Sequence, residues 1–321
     1  MRKIFLFTVL VAGALACSSV KAQQSTNRLS IGTGGTSGVF YPIGGGIANL
    51  ISKSIPGVQA TAEVTGGSVD NLKLIGAGQS EMAIVAVDAA LEAFRGEDKF
   101  KGNPVPALTL MVMYPNRMHV VTVEGNNIEK FSDLKGKRIS TGAPGSATEL
   151  MTLRTLEAYG IDKDKDVKRE RLSVAESVNA VKDRKLDAFF FVAGLPTAGI
   201  TDLAATPGVK MKLIDHIDVV AKINAKHGQL YAADKIPAGT YPNQTKDNQV
   251  MASWNLLVAH KNMTEKLAYD ILKIIFDNKD YLVSVHKESM NFDIKNQSGR
   301  SSIPWHPAAI KFFGEKGIKL N

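Results

Sequence analysis

The sequence predicts an α/β fold of two lobes, each a mostly parallel sheet flanked by helices, with a ligand cleft between them. Apolar segments with strand character alternate with amphipathic helical segments along most of the chain. The alternation pauses at Tyr114-Pro115-Asn116 and then begins again. About 299 residues remain after the N-terminal leader described below, which is enough for two domains of ordinary size. Two domains built on one plan follow from these observations.

Residues 1–22 are predicted to be a secretory signal peptide. Arg2 and Lys3 precede a short apolar segment, and small residues follow it up to a predicted cleavage site after Ala22. The apolar segment is too short to span a bilayer. Cleavage before Cys17, with lipid attachment to that cysteine, is the alternative. The mature protein is therefore expected in the periplasm, either free or anchored through Cys17.

The composition argues against nucleic-acid binding and against cysteine chemistry. The chain has a formal net charge of +8, and loss of the three basic residues of the leader lowers this charge to +5. Basic and acidic residues alternate, as in segment 162–171, and no aromatic residues interleave with a basic stripe. Cys17 is the only cysteine, so the mature chain has neither a disulfide nor a thiolate. We expect no nucleic-acid partner.

The first lobe is predicted to span residues 28–114. RLSIGTG is its first strand, and Pro42 lies in the first turn of the helix that follows. VQATAEV alternates as a strand does, and Ser68 is placed to cap the next helix. EMAIVAV and ALTLMVMY are two further buried strands. The inward-facing residues predicted for the two helices are Ile43, Ile47, Leu50 and Ile51, and then Val69, Leu72 and Ile75.

The second lobe is predicted to span residues 115–253. MHVVTVEG is a strand, and KRIS leads through a glycine loop into a helix with Ser146 and Glu149 as a capping box. VKRERLS, LDAFFFVAG and VKMKLID are further strands, and Pro196 marks the start of a helix. The segment 231–249 is rich in Pro, Gly, Asn and Lys and is predicted to be a long surface loop.

The chain is then predicted to return to the first lobe over residues 254–321. MASWNLLVAH forms a strand, and Thr264 caps one long amphipathic helix that ends near His286. The buried stripe predicted for this helix comprises Leu267, Ile271, Ile274 and Leu282. Because the chain crosses between lobes twice, a hinge is expected near Tyr114–Arg117, with the return crossing at Ser253–Val258.

Four loops share one pattern of strand, small residues and helix start. They are Gly32–Pro42, Thr65–Asn71, Gly142–Glu149 and Ala193–Thr197. Ligands of α/β sheets bind at the carboxyl ends of strands, where helix N-termini offer backbone N–H groups to an anion. Two of these helix starts belong to each lobe, so facing lobes would bring all four to one cleft. The side-chain donors in the loops are Thr36, Ser37, Ser68, Ser146 and Thr148, although serine and threonine here also fit simple helix caps.

Enzyme and cofactor motifs are missing. The first glycine loop places Ser37 where a dinucleotide fingerprint needs its third glycine, and no P-loop occurs. The G-x-S-x-G elbow of hydrolases is absent, and none of the six histidines shows H-x-x-x-H spacing. Asp88, at the exit of a strand, fits either a ligand contact or a cap. We therefore expect no cofactor and a binding protein, with an exported enzyme acting on a small carboxylate as the alternative.

Five blocks, in order after the signal peptide, are similar to the TAXI family, the extracytoplasmic solute receptors of TRAP transporters. The blocks are IGTGGTSGVFYPIGG, TGGSVDNLKLIGAGQSEMAIV, MYPNRMHVV, STGAPGSATE and VAGLPTAGI. The resemblance implies a type II-like periplasmic-binding-protein fold that closes on a small organic acid or amino acid. It further implies delivery of that ligand to a TRAP membrane permease, usually driven by sodium. The ligands of the family include glutamate, glutamine and 2-oxoglutarate.

The resemblance also implies which residues bind the ligand. One departure from the family pattern bears on ligand identity, because similar receptors often have two polar residues where Ala86 and Val87 stand here. A buried ligand ammonium without acceptors is costly, so 2-oxoglutarate or a similar dicarboxylate is expected in preference to glutamate. The expected ligand-binding residues are Gly34, Gly35, Thr36, Ser37, Gly38, Tyr41, Gly67, Ser68, Asn71, Val87, Gly145, Ser146, Ala147, Thr148, Gly194, Leu195 and Pro196.

Overall fold

A computed structural model describes residues 27–320, so the predicted signal peptide and Cys17 lie outside the described residues. The ten strands of this part are β1 (Asn27–Gly32), β2 (Val58–Glu63), β3 (Met82–Ala86), β4 (Ala107–Val123), β5 (Arg138–Ser140), β6 (Lys168–Glu170), β7 (Ala188–Ala193), β8 (Met211–Leu213), β9 (Ala232–Ile236) and β10 (Asn248–His260). The ten α-helices are α1 (Phe40–Ser54), α2 (Ser68–Gly76), α3 (Val87–Arg95), α4 (Ala147–Ala158), α5 (Val174–Lys182), α6 (Ala198–Ala205), α7 (Val220–His227), α8 (Glu265–Asp277), α9 (Lys279–Val285) and α10 (Pro307–Gly314). Across residues 27–320, no helix is long and apolar enough to cross a membrane.

The strands form one mixed sheet that passes through both lobes. Their order is β2-β1-β3-β10-β4-β7-β5-β6, with β8 paired to β4 and β9 paired to β10. Parallel pairing occurs on both sides, where β1 pairs with β2 and β3, and β5 pairs with β6 and β7. In the middle, β4 and β10 are antiparallel to each other and to their other neighbours. The two long central strands therefore connect the lobes.

Strand β4 replaces the two separate strands that the sequence suggested on either side of Tyr114-Pro115-Asn116. It runs without interruption for 17 residues. Proline cannot donate to a strand ladder and is tolerated at irregular positions. Its partner strand provides such a position, because the pairing of β10 with β4 shifts register between Trp254 and Leu256, next to the Trp254–Pro115 pair.

Buried apolar residues form three clusters that separate the two lobes. The first draws mainly on residues 29–114 and 256–313, and we call this part of the molecule lobe 1. The second and third draw on residues 118–251, and we call this part lobe 2. The seven inward-facing residues predicted for α1 and α2 are all buried. The residue numbers at which each lobe begins and ends stay predictions.

Two predicted elements differ from the structure. The segment 231–249 is not all loop, because β9 within it pairs with β10. The single long helix after Thr264 is two helices, α8 and α9, since Asn278 leaves helical geometry and its side-chain Nδ2 donates to the Ile274 carbonyl. Thr264 does cap α8, accepting from the Leu267 N–H. The fully buried face of α8 is shifted from the predicted stripe and comprises Ala268, Ile271, Leu272 and Ile275.

Candidate functional site

A small cavity of about 60 Å³ lies between the lobes. Three of the four predicted glycine loops reach it with several residues each, and the fourth only with its first residue, Ala193, which also ends β7. Asn116 from the centre of β4 completes the polar lining. Its lining residues are Gly34, Gly35, Gly38, Val39, Phe40, Gly66, Gly67, Ser68, Asn116, Ser146, Ala147, Thr148, Phe191, Val192 and Ala193. A cavity of this size holds several water-sized groups. No charged side chain belongs to this lining.

Eight of the predicted site residues line the cavity: Gly34, Gly35, Gly38, Gly67, Ser68, Ser146, Ala147 and Thr148. The other nine do not line it: Thr36, Ser37, Tyr41, Asn71, Val87, Gly145, Gly194, Leu195 and Pro196. Five of the nine, Thr36, Ser37, Tyr41, Asn71 and Gly145, belong to the three loops that also supply the eight lining residues.

Helices α1 and α4 direct their N-termini at the cavity. The first N–H groups of a helix have no partner inside the helix. Within residues 27–320, the N–H groups of Phe40, Ala147 and Thr148 have no hydrogen-bond acceptor in the protein. An N-terminus carries about half a unit of positive charge. These two helix starts therefore offer donors and positive potential to an anion.

The other two predicted helix starts donate to the protein itself. At α2, the N–H groups of Val69 and Asp70 donate to the Gly145 carbonyl at 3.0 and 3.1 Å. At α6, the Gly199 N–H donates to the Ser37 carbonyl at 3.2 Å. Both bonds cross from one lobe to the other. The Ser68 N–H, at the first position of α2, lines the cavity and has no acceptor within residues 27–320. Three of the four predicted helix starts therefore keep a free donor at the cavity, and α2 and α6 also join the lobes.

The fourth predicted loop, residues 193–197, is bound by a carboxylate of lobe 1. The Leu195 N–H donates to Glu288 Oε1 at 2.6 Å, and Glu288 is 4% exposed. Arg117 Nη1 lies 3.1 Å from the same oxygen. Burial raises the pKa of Glu288, and Arg117 opposes that rise. Helix α6 begins at Ala198, two residues later than Pro196 suggested.

The hydroxyl groups of the lining each accept one backbone N–H. Ser68 Oγ accepts from Ala86 at 3.0 Å, Ser146 Oγ from Glu149 at 3.0 Å and Thr148 Oγ1 from Val192 at 3.1 Å. Ser68 therefore ties α2 to β3 instead of capping its own helix, whose N-cap is Gly67.

Ser146 caps α4, as predicted, but the capping box is incomplete. The Glu149 carboxylate does not return a bond to Ser146, because Arg171 Nη2 donates to it at 2.9 Å and Arg169 lies 3.4 Å away. The Ser146 N–H donates instead to the Ala143 carbonyl.

Two further predicted residues have structural roles. Asn71 is fully buried, and its Nδ2 donates to the carbonyls of Thr33 and Ile84 at 2.7 and 2.9 Å. Val87 begins α3, and its carbonyl accepts from Ser302 Oγ at 2.6 Å. The inference from Val87 to a ligand without an amine therefore loses its geometric basis.

Seven lining residues were not among the predicted ligand-binding residues: Val39, Phe40, Gly66, Asn116, Phe191, Val192 and Ala193. Asn116 lies within the segment predicted as the hinge, but its side chain carried no motif. Phe40 stands beside the predicted Tyr41, and Phe191 is one of three consecutive phenylalanines in β7. The alternation of β7 was the available signal, since successive side chains of a strand face opposite sides. The aromatic rings give the cavity apolar walls between its polar ends.

Asn116 is fixed at the crossing of the two central strands. Its Nδ2 donates to Asn255 Oδ1 at 2.6 Å, and Asn255 Nδ2 donates to the Tyr114 carbonyl at 3.2 Å. Asn116 is 1% exposed. Its Oδ1 is buried and has no hydrogen-bond partner in the described part of the chain. Asn116 is at the same time one of the residues that line the cavity.

A larger cleft of about 1060 Å³ lies between α2 and α3 on one side and α4 and α7 on the other. Its charged walls are largely paired with each other. Arg154 of lobe 2 pairs with Glu92 of lobe 1, and it also donates to Tyr231 Oη, which donates to Asp88 at 2.8 Å. Burial raises the pKa of Glu92 to about 7. We place the candidate site in the smaller cavity, where unpaired donors and a free acceptor occur together.

The described residues contain no group of three or more His, Cys, Asp or Glu side chains that could hold a metal ion. Asp88 lies in the first turn of α3, where its Oδ1 accepts from the Ala89 N–H at 2.8 Å. It is fully buried and does not line the small cavity, so a contact with ligand there is not part of this geometry.

The fold is shared with solved structures of low sequence identity. One, titled "Structure of a periplasmic transporter", is 16% identical, with 90% of this chain and 92% of the other covered and a TM-score of 0.51. Another, an ancestral arginine-binding protein bound to arginine, is 12% identical, with 82% and 98% covered and a TM-score of 0.50. These similarities agree with a type II-like periplasmic-binding-protein fold. The pattern of the NMT1-like family matches residues 31–317, so the chain belongs to the NMT1-like family.

Proposed function

We propose that this protein is an extracytoplasmic solute receptor that captures a small organic acid between its lobes and delivers it to a membrane permease. The observation that carries the proposal is the pair of helix N-termini, α1 and α4, whose free N–H groups meet at one cavity. Charge-assisted hydrogen bonds contribute about 1.5–3 kcal/mol each. A few such bonds to one carboxylate account for the roughly 8 kcal/mol of a micromolar complex.

A receptor role suits the site better than catalysis on a small carboxylate. The lining holds no charged side chain, no histidine and no cysteine. Its hydroxyl groups at Ser68, Ser146 and Thr148 accept backbone N–H groups and have no general base beside them within the lining. General acid–base or nucleophilic chemistry needs such a partner. The walls therefore support binding and release of an unchanged ligand.

Delivery to a TRAP-type permease rests on the five sequence blocks that are similar to TAXI receptors. The same blocks give the ligand candidates, 2-oxoglutarate or a similar dicarboxylate first and an amino acid such as glutamate or glutamine second. The buried acceptor Asn116 Oδ1 favours a ligand that carries a hydrogen-bond donor, which the 2-oxo group of 2-oxoglutarate lacks. The periplasm is the proposed location, following from the predicted signal peptide.

A thermal-shift screen tests the receptor proposal. Purified mature protein is heated with small carboxylates, each paired with its neutral amide, and hits are confirmed by calorimetry. A ligand at a hundredfold its dissociation constant adds about 2.7 kcal/mol of stability. We expect carboxylates to raise the melting temperature and their amides to have little effect. Equal shifts for acids and amides would contradict an anion site, and turnover of a bound acid would favour the enzyme alternative.

A further inference from the structure

We infer, on the basis of the proposed receptor function, that the ligand is a small hydroxy monocarboxylic acid whose hydroxyl group donates a hydrogen bond to Asn116 Oδ1. Two independent observations meet here: the free helix N-termini of α1 and α4, and the lining residue Asn116, whose buried amide oxygen has no partner. The helix N-termini favour a carboxylate on the ligand, and the amide oxygen favours a hydrogen-bond donor close to that carboxylate.

The orientation of the Asn116 amide follows from its neighbours. The Tyr114 carbonyl is an acceptor only, so the Asn255 atom that faces it must be the donor Nδ2. Asn255 Oδ1 then faces Asn116, and only Asn116 Nδ2 can donate to it. This leaves Asn116 Oδ1 as a pure acceptor. Exchanging its nitrogen and oxygen would place two acceptors against each other.

The cavity lining has more free hydrogen-bond donors than free side-chain acceptors. Donors are plentiful: the backbone N–H groups of α1 and α4, and the hydroxyl hydrogens of Ser68 and Thr148, which have no acceptor within residues 27–320. Asn116 Oδ1 is the buried side-chain oxygen of this lining without any partner. A carboxylate uses the donors, and one O–H group uses the acceptor.

A ligand ammonium group matches the free donors and the single free side-chain acceptor of the lining less well than a ligand hydroxyl group does. It carries a full charge and three N–H donors, whereas Asn116 offers one neutral oxygen and the lining contains no carboxylate. A 2-oxo group has no hydrogen to donate, so it would leave Asn116 Oδ1 unsatisfied. A buried polar atom without a partner weakens binding. The site therefore prefers a hydroxy acid over its oxo and amino counterparts.

The charge of the walls matches one carboxylate. Each helix N-terminus is equivalent to about half a positive charge, so α1 and α4 together supply about one. At α2 the Val69 and Asp70 N–H groups donate to the Gly145 carbonyl and the Ser68 N–H stays free, and no lysine or arginine lines the cavity. A second buried carboxylate would have no full counter-charge and would be disfavoured. Monocarboxylates are thus expected to bind more tightly than dicarboxylates.

The test is a substituent series measured by calorimetry on the mature wild-type protein. Three acids, acetate, propionate and glutarate, are each compared with the analogues that carry a 2-hydroxy, 2-oxo or 2-amino group. We expect glycolate or lactate to bind tightest, about tenfold or more above the unsubstituted acid, which is the size of one satisfied buried hydrogen bond. Pyruvate, alanine and every five-carbon dicarboxylate should bind more weakly than lactate.

Asn116→Leu, which keeps a similar shape but removes the acceptor, should abolish the preference for lactate over propionate. Asn103→Leu, the same exchange at an exposed position outside the lining, should keep it. The ratio of two ligands is the measured quantity, so a general weakening of the variant does not imitate the effect. If Asn116→Leu fails to fold, the wild-type series still decides.

The outcomes separate the two proposals. Carboxylates that bind without a hydroxyl preference, or a preference for the oxo or amino series or for a dicarboxylate, overturn the inference and leave the receptor function standing. Binding of none of the twelve acids overturns both.

Discussion

The backbone N–H of Val69, in lobe 1, donates to the carbonyl oxygen of Gly145, in lobe 2, at 3.0 Å. A reciprocal bond joins the Gly199 N–H of lobe 2 to the Ser37 carbonyl of lobe 1 at 3.2 Å. Each lobe thus presents one helix N-terminus to a glycine loop of the other. These bonds join the lobes beside the candidate cavity, so in the proposed receptor the contacts that hold the lobes together also enclose the ligand.

Closure requires glycine at position 66. A Cβ atom there would lie 2.3 Å from Asp70 Oδ2, a side-chain atom of the same lobe that can move aside, and 2.4 Å from the Pro144 backbone carbonyl oxygen of the opposite lobe, separations that real Cβ atoms do not show. We predict that Gly66→Ala weakens binding of the best carboxylate from the screen by at least about tenfold, equivalent to ~1.4 kcal/mol. Calorimetry measures the affinity, and small-angle scattering reports whether the lobes stay apart.

Gly45→Ala is the matched control for closure. It makes the same exchange in α1, where an added Cβ meets nothing within 4 Å. Its affinity should equal that of the wild type. Equal affinity of Gly66→Ala and Gly45→Ala would show that the Gly66–Pro144 contact has no part in binding.

Removal of one backbone donor tests the anion site directly. Proline is tolerated at the first position of a helix, and Ala147 holds that position in α4 behind Ser146 in extended geometry. We predict that Ala147→Pro keeps the helix but lowers carboxylate affinity about tenfold or more, because one charge-assisted bond contributes about 1.5–3 kcal/mol. Calorimetry compares the acid with its neutral amide. A loss of affinity for the acid alone indicates the missing donor, whereas an equal loss for both indicates that the proline ring fills part of the cavity.

Glu265→Pro is the corresponding change at the first position of α8, behind the N-cap Thr264 and on the surface. The affinity of the Glu265→Pro variant for the carboxylate should equal that of the wild type. If Ala147→Pro also binds the carboxylate as the wild type does, the α4 terminus is not part of the site.

Glu288 should be a major stabilising residue at the lobe junction. It accepts from Leu195 N–H at 2.6 Å and from Asn291 Nδ2 at 2.6 Å, and it pairs with Arg117. Removing one partner of a buried ion pair typically costs about 3–5 kcal/mol. Arg117 keeps Asp234 at 2.9 Å, so we predict about 3 kcal/mol for Glu288→Ala, measured by urea unfolding.

An exposed pair provides the comparison for Glu288. Lys273 and Asp277 pair one turn apart on the surface of α8, and such pairs contribute about 0.3–0.5 kcal/mol. Asp277→Ala should therefore change the unfolding free energy only slightly. A similarly small effect of Glu288→Ala would mean that its contacts add little stability.

Glu92 should make stability depend on pH. Burial raises its pKa to about 7, Arg154 opposes this rise, and Asp88, Asp98 and Glu97 add to it. Between pH 4.5 and 7 the folded protein holds a proton that the unfolded chain has released, so this contribution to stability is lost as pH increases through that range. We predict that the melting temperature of Glu92→Gln, measured by calorimetry, increases relative to that of the wild type from pH 5 to pH 8.

Gln79→Ala is the control, because it changes an exposed side chain that carries no ionisable group. Its difference from the wild type should stay constant with pH. A constant difference for Glu92→Gln as well would show that Glu92 is ionised throughout this range.

Local patterns predicted most of the elements. The helical spacing of Ile43, Ile47 and Ile51 and the apolar segments of β3 and β7 fix their type, because burial of one face follows directly from periodicity. The cap at Thr264 was found for the same local reason. Pro115 was misleading, since a proline within a strand depends on the irregular pairing that its partner strand supplies.

The candidate site was predicted at the level of loops and not of atoms. Gly34, Gly67 and Thr148 line the cavity, while Leu195 and Asn71 direct their polar groups at protein partners. Nothing in the sequence indicates that the Glu288 carboxylate, far away along the chain, accepts the Leu195 N–H of the fourth loop.

By itself, then, the sequence determined the α/β alternation, the glycine loops at strand ends and the apolar faces of the first helices, because each depends on residues a few positions apart. The tertiary structure decided which helix N-termini remain free for a ligand and that Asn116 Oδ1 is left without a partner. Both depend on which groups from opposite lobes meet, and hydrogen bonds are saturable. A donor that finds an acceptor in the protein is no longer available to a ligand.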